Sequence, residues 1–351
     1  MRWLVHCGAG WFPGEDARGR RARPLQLVGL VVLTGFLVGA CGNSSSGSSP
    51  KVPIAFVAPT GNTFSEAEYK GLKDYASAHN ATVDWVDTGF DAQREYAAIQ
   101  NITVTKKYKG IVILPLDAVG VIPSVQGAVK AGIQVVALNN PLGPDLNSGA
   151  VQVPGVAGVV ITPQYQRGIW IGQAVAQACG STNPCKFASL AGVIGISAEK
   201  AIHDGVLKGL ENSPNVVLAR WAEAGDYTPD KGLSAAQNLL TAIPDLRLIT
   251  SSGDQIERGV EQAVIRANKV GKVIVGSLGA SEYGVAAVKD GRWAFVVVTL
   301  PINQGTESAR ILLAHIADPK LAPEAVGEVP SGMNPILTKA NIGDFKAQWA
   351  T

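Results

Sequence analysis

Short runs of β-branched residues, bounded by small or polar ones, recur along this chain and constrain its fold more than any other feature. From Lys51 onward, VPIAFVAP (52–59), ATVDWVD (81–87), GIVILPL (110–116) and IQVVALN (133–139) read as strands. Amphipathic segments near 64–80, 91–107 and 119–131 separate them and read as helices. The rhythm then restarts. KFASLAG (186–192), NVVLARWAE (215–223), LRLITSS (246–252) and GKVIVGS (271–277) are expected strands, with helices expected at 198–212, 229–242, 255–269 and 281–290. Near-continuous Val and Ile mark strands covered on both faces, the condition of a parallel sheet. Strand–helix alternation with right-handed crossovers arranges such strands into open, doubly wound sheets. The expected fold is therefore α/β, with two doubly wound parallel-sheet lobes, and 351 residues with 46% hydrophobic content suffice for two cores.

The segment ahead of this body differs in character. The net charge of +2 arises within residues 1–40, where Arg2, Arg18, Arg20, Arg21 and Arg23 face only Glu15 and Asp16; without them, 25 basic residues oppose 26 acidic ones. A body so close to neutral carries no electrostatic footprint for nucleic acid. Arg18–Arg23 form a charged region, Leu27–Val38 an apolar stretch, and Gly39 and Ala40 are small, which is the order of an export signal. The apolar stretch is shorter than the roughly 20 residues that span a bilayer. Val38-Gly39-Ala40-Cys41 resembles the lipobox of bacterial lipoproteins, which implies that Cys41 is lipidated and becomes the first mature residue. Residues 41–50 are then a Gly/Ser tether with a reach on the order of 15–20 Å. Residues 1–17 lie upstream of the charges and drop out if translation starts later. Cys179 and Cys185 bracket GSTNP; outside the cytoplasm a small disulfide loop is the simplest reading, and the alternative metal site lacks a nearby His or Cys to complete it.

Open parallel sheets bind ligands beyond the carboxyl ends of their strands. Here those ends read APTGNTF (58–64), LPLDAV (114–119), ALNNPLG (137–143), AGVIGIS (191–197), SSGDQ (251–255) and GSLGAS (276–281), small and polar throughout. Over nearly all of 52–340 the chain resembles the ribose-type periplasmic sugar-binding proteins that deliver solutes to ABC importers. The resemblance is carried by IAFVAPTGNTFSEAEYKGLKDYA, by YKGIVILPLDA leading to GIQVVALNN, by DYTPDKGLSAAQNLLTAIPDLRLITSSGD, and by VGSLGASEYGVAAVKDGRWAFVVVTLP. It implies the type I periplasmic binding protein fold, with a first lobe of residues 51–161 plus 300–330 and a second of 162–298 plus 331–351. Three crossings, near 160–163, 298–300 and 328–332, would form the hinge.

The same resemblance implies a ligand set. Asn62 and Phe64 stand where the family presents an amide and an aromatic ring after the first strand. Asn139 and Asn140 replace a family Asp-Arg pair, Ile202 replaces an arginine, and Tyr227 matches an aromatic. Gly253, with Asp254 beside it, takes an Asn contact position, Ser277 replaces part of a Phe-Asp pair, and Thr299 replaces a Gln. Sugar sites pair every buried hydroxyl because an unpaired one costs roughly 1–3 kcal/mol. Losing these charged groups leaves a short polyol or an unusual sugar as the expected solute, with a less polar neutral solute, an aromatic or a lactone, as the alternative. The expected partners are an ABC permease with its ATPase, or else a membrane sensor, and the expected state is a monomer held at the membrane by its lipid. No cofactor or metal is expected.

Other classes fit poorly. The chain has no P-loop, no HExxH and no GxSxG. Of His6, His79, His203 and His315, only His203 falls near an expected cleft, without an evident Ser or Cys partner. Sugar-responsive repressors share the fold but need a DNA-binding helix-turn-helix before the first strand, where this chain has a signal and a tether. Trp85, Trp170 and Trp221 read as packed side chains.

Overall fold

The computed structural model describes Pro50–Thr351; the signal segment 1–40, Cys41, the tether up to residue 49 and His6 lie outside the described residues. The first half of the body runs β1 (Val52–Ala58), α1 (Thr63–Ala78), β2 (Ala81–Asp87), α2 (Ala92–Thr105), β3 (Gly110–Ile113), α3 (Ile122–Lys130), β4 (Gln134–Leu138) and β5 (Gly158–Val160). The second runs α4 (Gln164–Cys179), β6 (Cys185–Ala191), α5 (Ser197–Gly209), β7 (Val216–Glu223), α6 (Pro229–Ala242), β8 (Leu248–Ser251), α7 (Asp254–Arg266), β9 (Ile274–Gly279), α8 (Glu282–Asp290) and β10 (Phe295–Val298). Then come α9 (Pro301–Ala317), β11 (Glu324–Val326) and β12 (Ile336–Thr338).

These strands form two six-stranded sheets, ordered β11-β5-β4-β3-β1-β2 and β12-β10-β9-β8-β6-β7. All pairs are parallel except β12, which joins β10 antiparallel. Strand alternation sorts the cores. Ile54, Phe56 and Ala58 of β1 pack with Leu72 of α1 and Leu312 of α9 on one face, while Ala55 and Val57 pack with Ile99 of α2 and Val125 of α3 on the other. In the second sheet Leu190 and Val296 meet α6, α7 and α8, whereas Phe187 and Val297 meet α4 and α5. The disulfide Cys179–Cys185 closes the short turn from α4 into β6.

The expected helix at 119–131 starts later, at Ile122. Asp117 Oδ1 accepts the N–H groups of Val119 and Gly120 at 3.1 and 2.9 Å, an Asx turn that competes with helical geometry until Pro123 resets it. Short β5, β11 and β12, with three residues each, carry too little pattern to be read from the sequence alone.

Glycines set how closely helices pack. A Cβ on Gly205 of α5 would stand 2.1 Å from the Tyr165 carbonyl of α4, and one on Gly168 would stand 2.2 Å from that of Ile202. Gly71 and Gly305 play the same part between α1 and α9, as do Gly232 and Gly259 between α6 and α7. The bare backbones therefore touch, which fixes where the N-termini of α4 and α5 sit over the cleft.

The chain passes between sheets at 161–163, 299–300 and 327–335. Ile161 N–H donates to the Val326 carbonyl at 2.8 Å and Val298 N–H to that of Pro335 at 2.8 Å, so the crossing segments are bonded side by side. The lobes also meet across the cleft. Ser197 N–H donates to the Leu116 carbonyl at 3.3 Å, Ala118 N–H donates to Ser197 Oγ at 3.3 Å, and Phe90 stacks on Tyr227 at 5.5 Å.

Candidate functional site

Between the lobes, at the carboxyl ends of both sheets, lies a cavity of about 90 Å³. Asn62, Phe64, Asn139, Asn140, Ile202, Tyr227, Gly253 and Thr299 line it, drawn from six separate loops and helix starts. Two expected ligands do not. Asp254 and Ser277 are fully buried and bond each other, Ser277 Oγ donating to Asp254 Oδ1 at 2.6 Å, while Asp254 Oδ2 accepts from Ser281 N–H at 2.7 Å. The polar capacity of this pair is used inside the second lobe, tying α7 to β9 and α8. Their chain neighbours Gly253, Gln255, Leu278 and Gly279 face the cleft instead.

The amides are partly committed. Asn62 caps α1, its Oδ1 accepting from Ser65 N–H at 2.8 Å and its Nδ2 donating to Ser65 Oγ at 3.1 Å. Asn140 is buried and donates to the Pro115 carbonyl at 2.8 Å, holding the β3–α3 loop against the end of β4. Asn139 sits in the left-handed region at φ 61°, where asparagine is among the few tolerated side chains. Its Oδ1 accepts from Arg167 Nη1 at 2.8 Å and from Gln164 Nε2 at 3.3 Å, which leaves its amino group to point elsewhere.

Arg167 corrects the expectation that replacement of the Asp-Arg pair strips the cleft of a guanidinium. The group arrives from α4, the start of the second lobe, and lines the cleft at 2% exposure. Its Nη2 donates to Glu328, whose other carboxylate oxygen accepts the Thr162 N–H at 2.5 Å, so one buried ion pair links the first and third crossings to the cleft. Gln304 of α9, its amide oxygen turned to Arg167 Nη2 at 2.9 Å, donates to Glu68 Oε1 at 2.9 Å. Burial pushes the Glu68 carboxyl well above the usual range, with the Arg167 charge opposing. Two cleft-lining groups keep an open valence: among the described residues Arg167 Nε and Gln164 Oε1 are buried without a hydrogen-bond partner.

Other carboxylates brace the floor. Glu95 of α2 accepts the Leu116 N–H at 3.2 Å, and burial pushes its carboxyl up to about 8. Glu199 accepts from the Tyr227 hydroxyl, from Ser252 Oγ at 2.7 Å and from Gly192 N–H at 2.9 Å; burial raises it, and these bonds oppose the rise. Gly192 is bare because a Cβ there would stand 2.3 Å from the Tyr227 ring. His203 stacks on Trp221 at 4.0 Å, and burial lowers its pKa; it does not line the cleft. Asp117 accepts from the Tyr96 hydroxyl at 2.6 Å, and Asp204 pairs with Lys200. Among the described residues no three His, Cys, Asp or Glu side chains converge as a metal would require.

Sequence reasoning missed Phe90, Gln164, Arg167 and Trp349, all of which line the cavity. One signal was available. Between Asp145 and Lys186, Arg167 is the only charged residue, and a lone arginine in an otherwise uncharged helix points to a buried partner.

A family model for the periplasmic binding protein domain matches residues 54–320. The ribose import binding protein of Salmonella typhimurium is 27% identical over 268 residues, covering 76% of this chain and 86% of that protein. The xylitol-binding protein of Mycolicibacterium smegmatis is 25% identical over 275 residues, covering 78% and 73%. A solute-binding protein of an ABC transporter from Mycobacterium smegmatis, solved with bound glycerol, superposes with a TM-score of 0.72 at 21% identity, over 86% of this chain and 99% of that one.

Proposed function

The chain belongs to the periplasmic binding protein domain family, and on that premise we propose that it captures a small neutral polyhydroxy solute between its lobes and delivers it to an ABC permease. It binds its solute and performs no chemistry on it. The observation that carries the solute class is the pair of open valences in the cleft wall. Gln164 Oε1 can only accept and Arg167 Nε can only donate, and hydroxyl groups can answer both needs. Asn139, its oxygen already held, has an amino group to offer a second hydroxyl. Size agrees: about 90 Å³ is several times the roughly 10–15 Å³ that admits a single water by this measure, so the cleft has room for a small solute such as a short polyol. Apolar neighbours such as Phe64, Phe90 and Ile202 supply faces for the solute's C–H groups. The relatives named for ribose and xylitol, and the neighbour holding glycerol, support the same class.

Closure follows from the two-lobe plan. A solute touching both lobes is satisfied only when they meet, so it shifts the population toward the closed state by its differential affinity, and the permease reads that state. We assign the membrane attachment to lipid on Cys41, supported by its signal-like flank and Gly/Ser tether; Cys41→Ser should release the protein from membranes.

The test is a thermal-shift panel of glycerol, xylitol, D-ribose, D-allose and myo-inositol, with a neutral aromatic, a lactone and charged amino acids as the other arms. True ligands raise Tm in a concentration-dependent way. Asn139→Gly, which keeps the left-handed backbone unstrained, should abolish the shift. Response only to the aromatic or lactone would transfer the reading to a less polar solute, and response only to amino acids would refute both.

A further inference from the structure

After β12 the chain leaves the second sheet and ends in the wall of the cleft. Its backbone is fastened to the second lobe. Glu282 N–H, at the start of α8, donates to the Trp349 carbonyl at 2.8 Å, and Arg258 Nη1 of α7 donates to the Thr351 carbonyl at 2.5 Å. Its side chains reach the first lobe. Gln348 Nε2 donates to Asn303 Oδ1 at 2.7 Å and Asn303 N–H donates back to Gln348 Oε1 at 3.1 Å, a reciprocal pair at the start of α9. Trp349 meets Phe64 edge to face, with centroids 5.3 Å apart and planes at 87°.

Trp349 is 4% exposed and lines the cavity. Its indole N–H donates to the Gly279 carbonyl at 3.3 Å, which also accepts the Thr299 N–H and hydroxyl at 3.2 and 2.7 Å. One carbonyl at the end of β9 thus gathers the tail and the middle hinge crossing. Opening the hinge would carry the tail away with the second lobe and part both side-chain contacts to the first.

We propose that Trp349 is a specificity-determining wall of the solute cleft, carried by a C-terminal tail that joins the two lobes when they close. The inference rests on the solute-binding reading above and adds to it the residue that sets the size of the accepted solute. An indole is large, rigid and apolar with one polar handle, here occupied by Gly279, so its remaining surface serves to stack against C–H faces. The tail makes that wall dependent on closure: among the described residues no backbone hydrogen bond from the segment to the first lobe holds Trp349 there, only Phe64 and the Gln348–Asn303 pair.

The experiment titrates the polyol and sugar panel against wild type, Trp349→Ala and Trp349→Phe, reading affinity and tryptophan emission. Trp349→Ala should weaken the best wild-type solute by roughly ten-fold or more and shift the ranking toward bulkier solutes. Trp349→Phe should keep binding but lose most of the solute-induced change in emission, which a merely structural tryptophan would not do. Unchanged affinity and ranking in Trp349→Ala, or an unchanged emission response in Trp349→Phe, overturns the assignment. If no member of the panel binds wild type, the solute class falls, and the tail is judged by solution X-ray scattering. Gln348→Ala and Trp349→Ala should then expand the molecule by raising its open population, and profiles identical to wild type would overturn the proposal.

Discussion

Replacing Gly205 by alanine sets two well-understood effects against each other. Intrinsic helix propensity favours alanine over glycine by about 0.8–1 kcal/mol. Against that, the new methyl would stand 2.1 Å from the Tyr165 carbonyl oxygen and 2.9 Å from the Gly168 Cα, both backbone atoms of α4. A carbon wants roughly 3.5 Å from its nonbonded neighbours, so α4 and α5 must separate by about 1.4 Å. Neither helix has free space to retreat into: Ile171, Val175, Ile202 and Val206 are packed in one core with Phe187 and Phe295 of the second sheet. Overpacking of this kind costs typically 1–3 kcal/mol, and here the obstacle is backbone that no rotamer change relieves. With a backbone obstacle the cost falls in the upper half of that range, about 2–3 kcal/mol, so the expected net effect is a loss of about 1–2 kcal/mol. Gly127 in α3 is the control, because a Cβ there meets nothing within 4 Å. Gly127→Ala should gain roughly 0.5–1 kcal/mol. Urea titrations at unchanged slope give both signs directly from the midpoints. If Gly205→Ala matches or exceeds wild type, the close helix contact does not exist as described, and the placement of Gln164, Arg167 and Ile202 over the cleft falls with it. Solute binding should also weaken in Gly205→Ala but not in Gly127→Ala.

The remaining expectations concern buried charge. Arg167→Met strands Glu328 without its cation and should cost roughly 3–5 kcal/mol; the double variant Arg167→Met/Glu328→Gln should recover most stability in urea titration yet still bind poorly, and equal binding by wild type and double variant would remove Arg167 from the site. Glu95, raised from 4.5 to about 8 by burial, holds its proton more tightly folded than unfolded, so its contribution is full below pH 4.5 and declines as pH rises to about 8. Glu95→Gln should flatten that fall, which is bounded by roughly 5 kcal/mol; melting temperatures from pH 5 to 9 that slope alike in both proteins would contradict the assignment.

Strand and helix periodicity made the doubly wound lobes legible, because parallel strands buried on both faces leave a mark in every run of Val and Ile. Eight of the ten expected ligand positions line the cleft for the same reason: strand ends in such a sheet converge whatever their sequence separation. Asp254 and Ser277 were misplaced because one residue of phase at a strand end decides between cleft and core, and only packing fixes that phase. Arg167, Glu328, Gln304 and Glu68 come from four places far apart in the chain, and no local pattern announces that they meet. Trp349 stands near the C-terminus beyond any periodic element, so its place beside Phe64 depends wholly on where α7, α8 and α9 hold the tail. The sequence by itself thus determined the scaffold, which follows from local period and burial. The tertiary structure alone decided which polar atoms face the cleft, because a hydrogen-bond network is settled by geometry among distant residues.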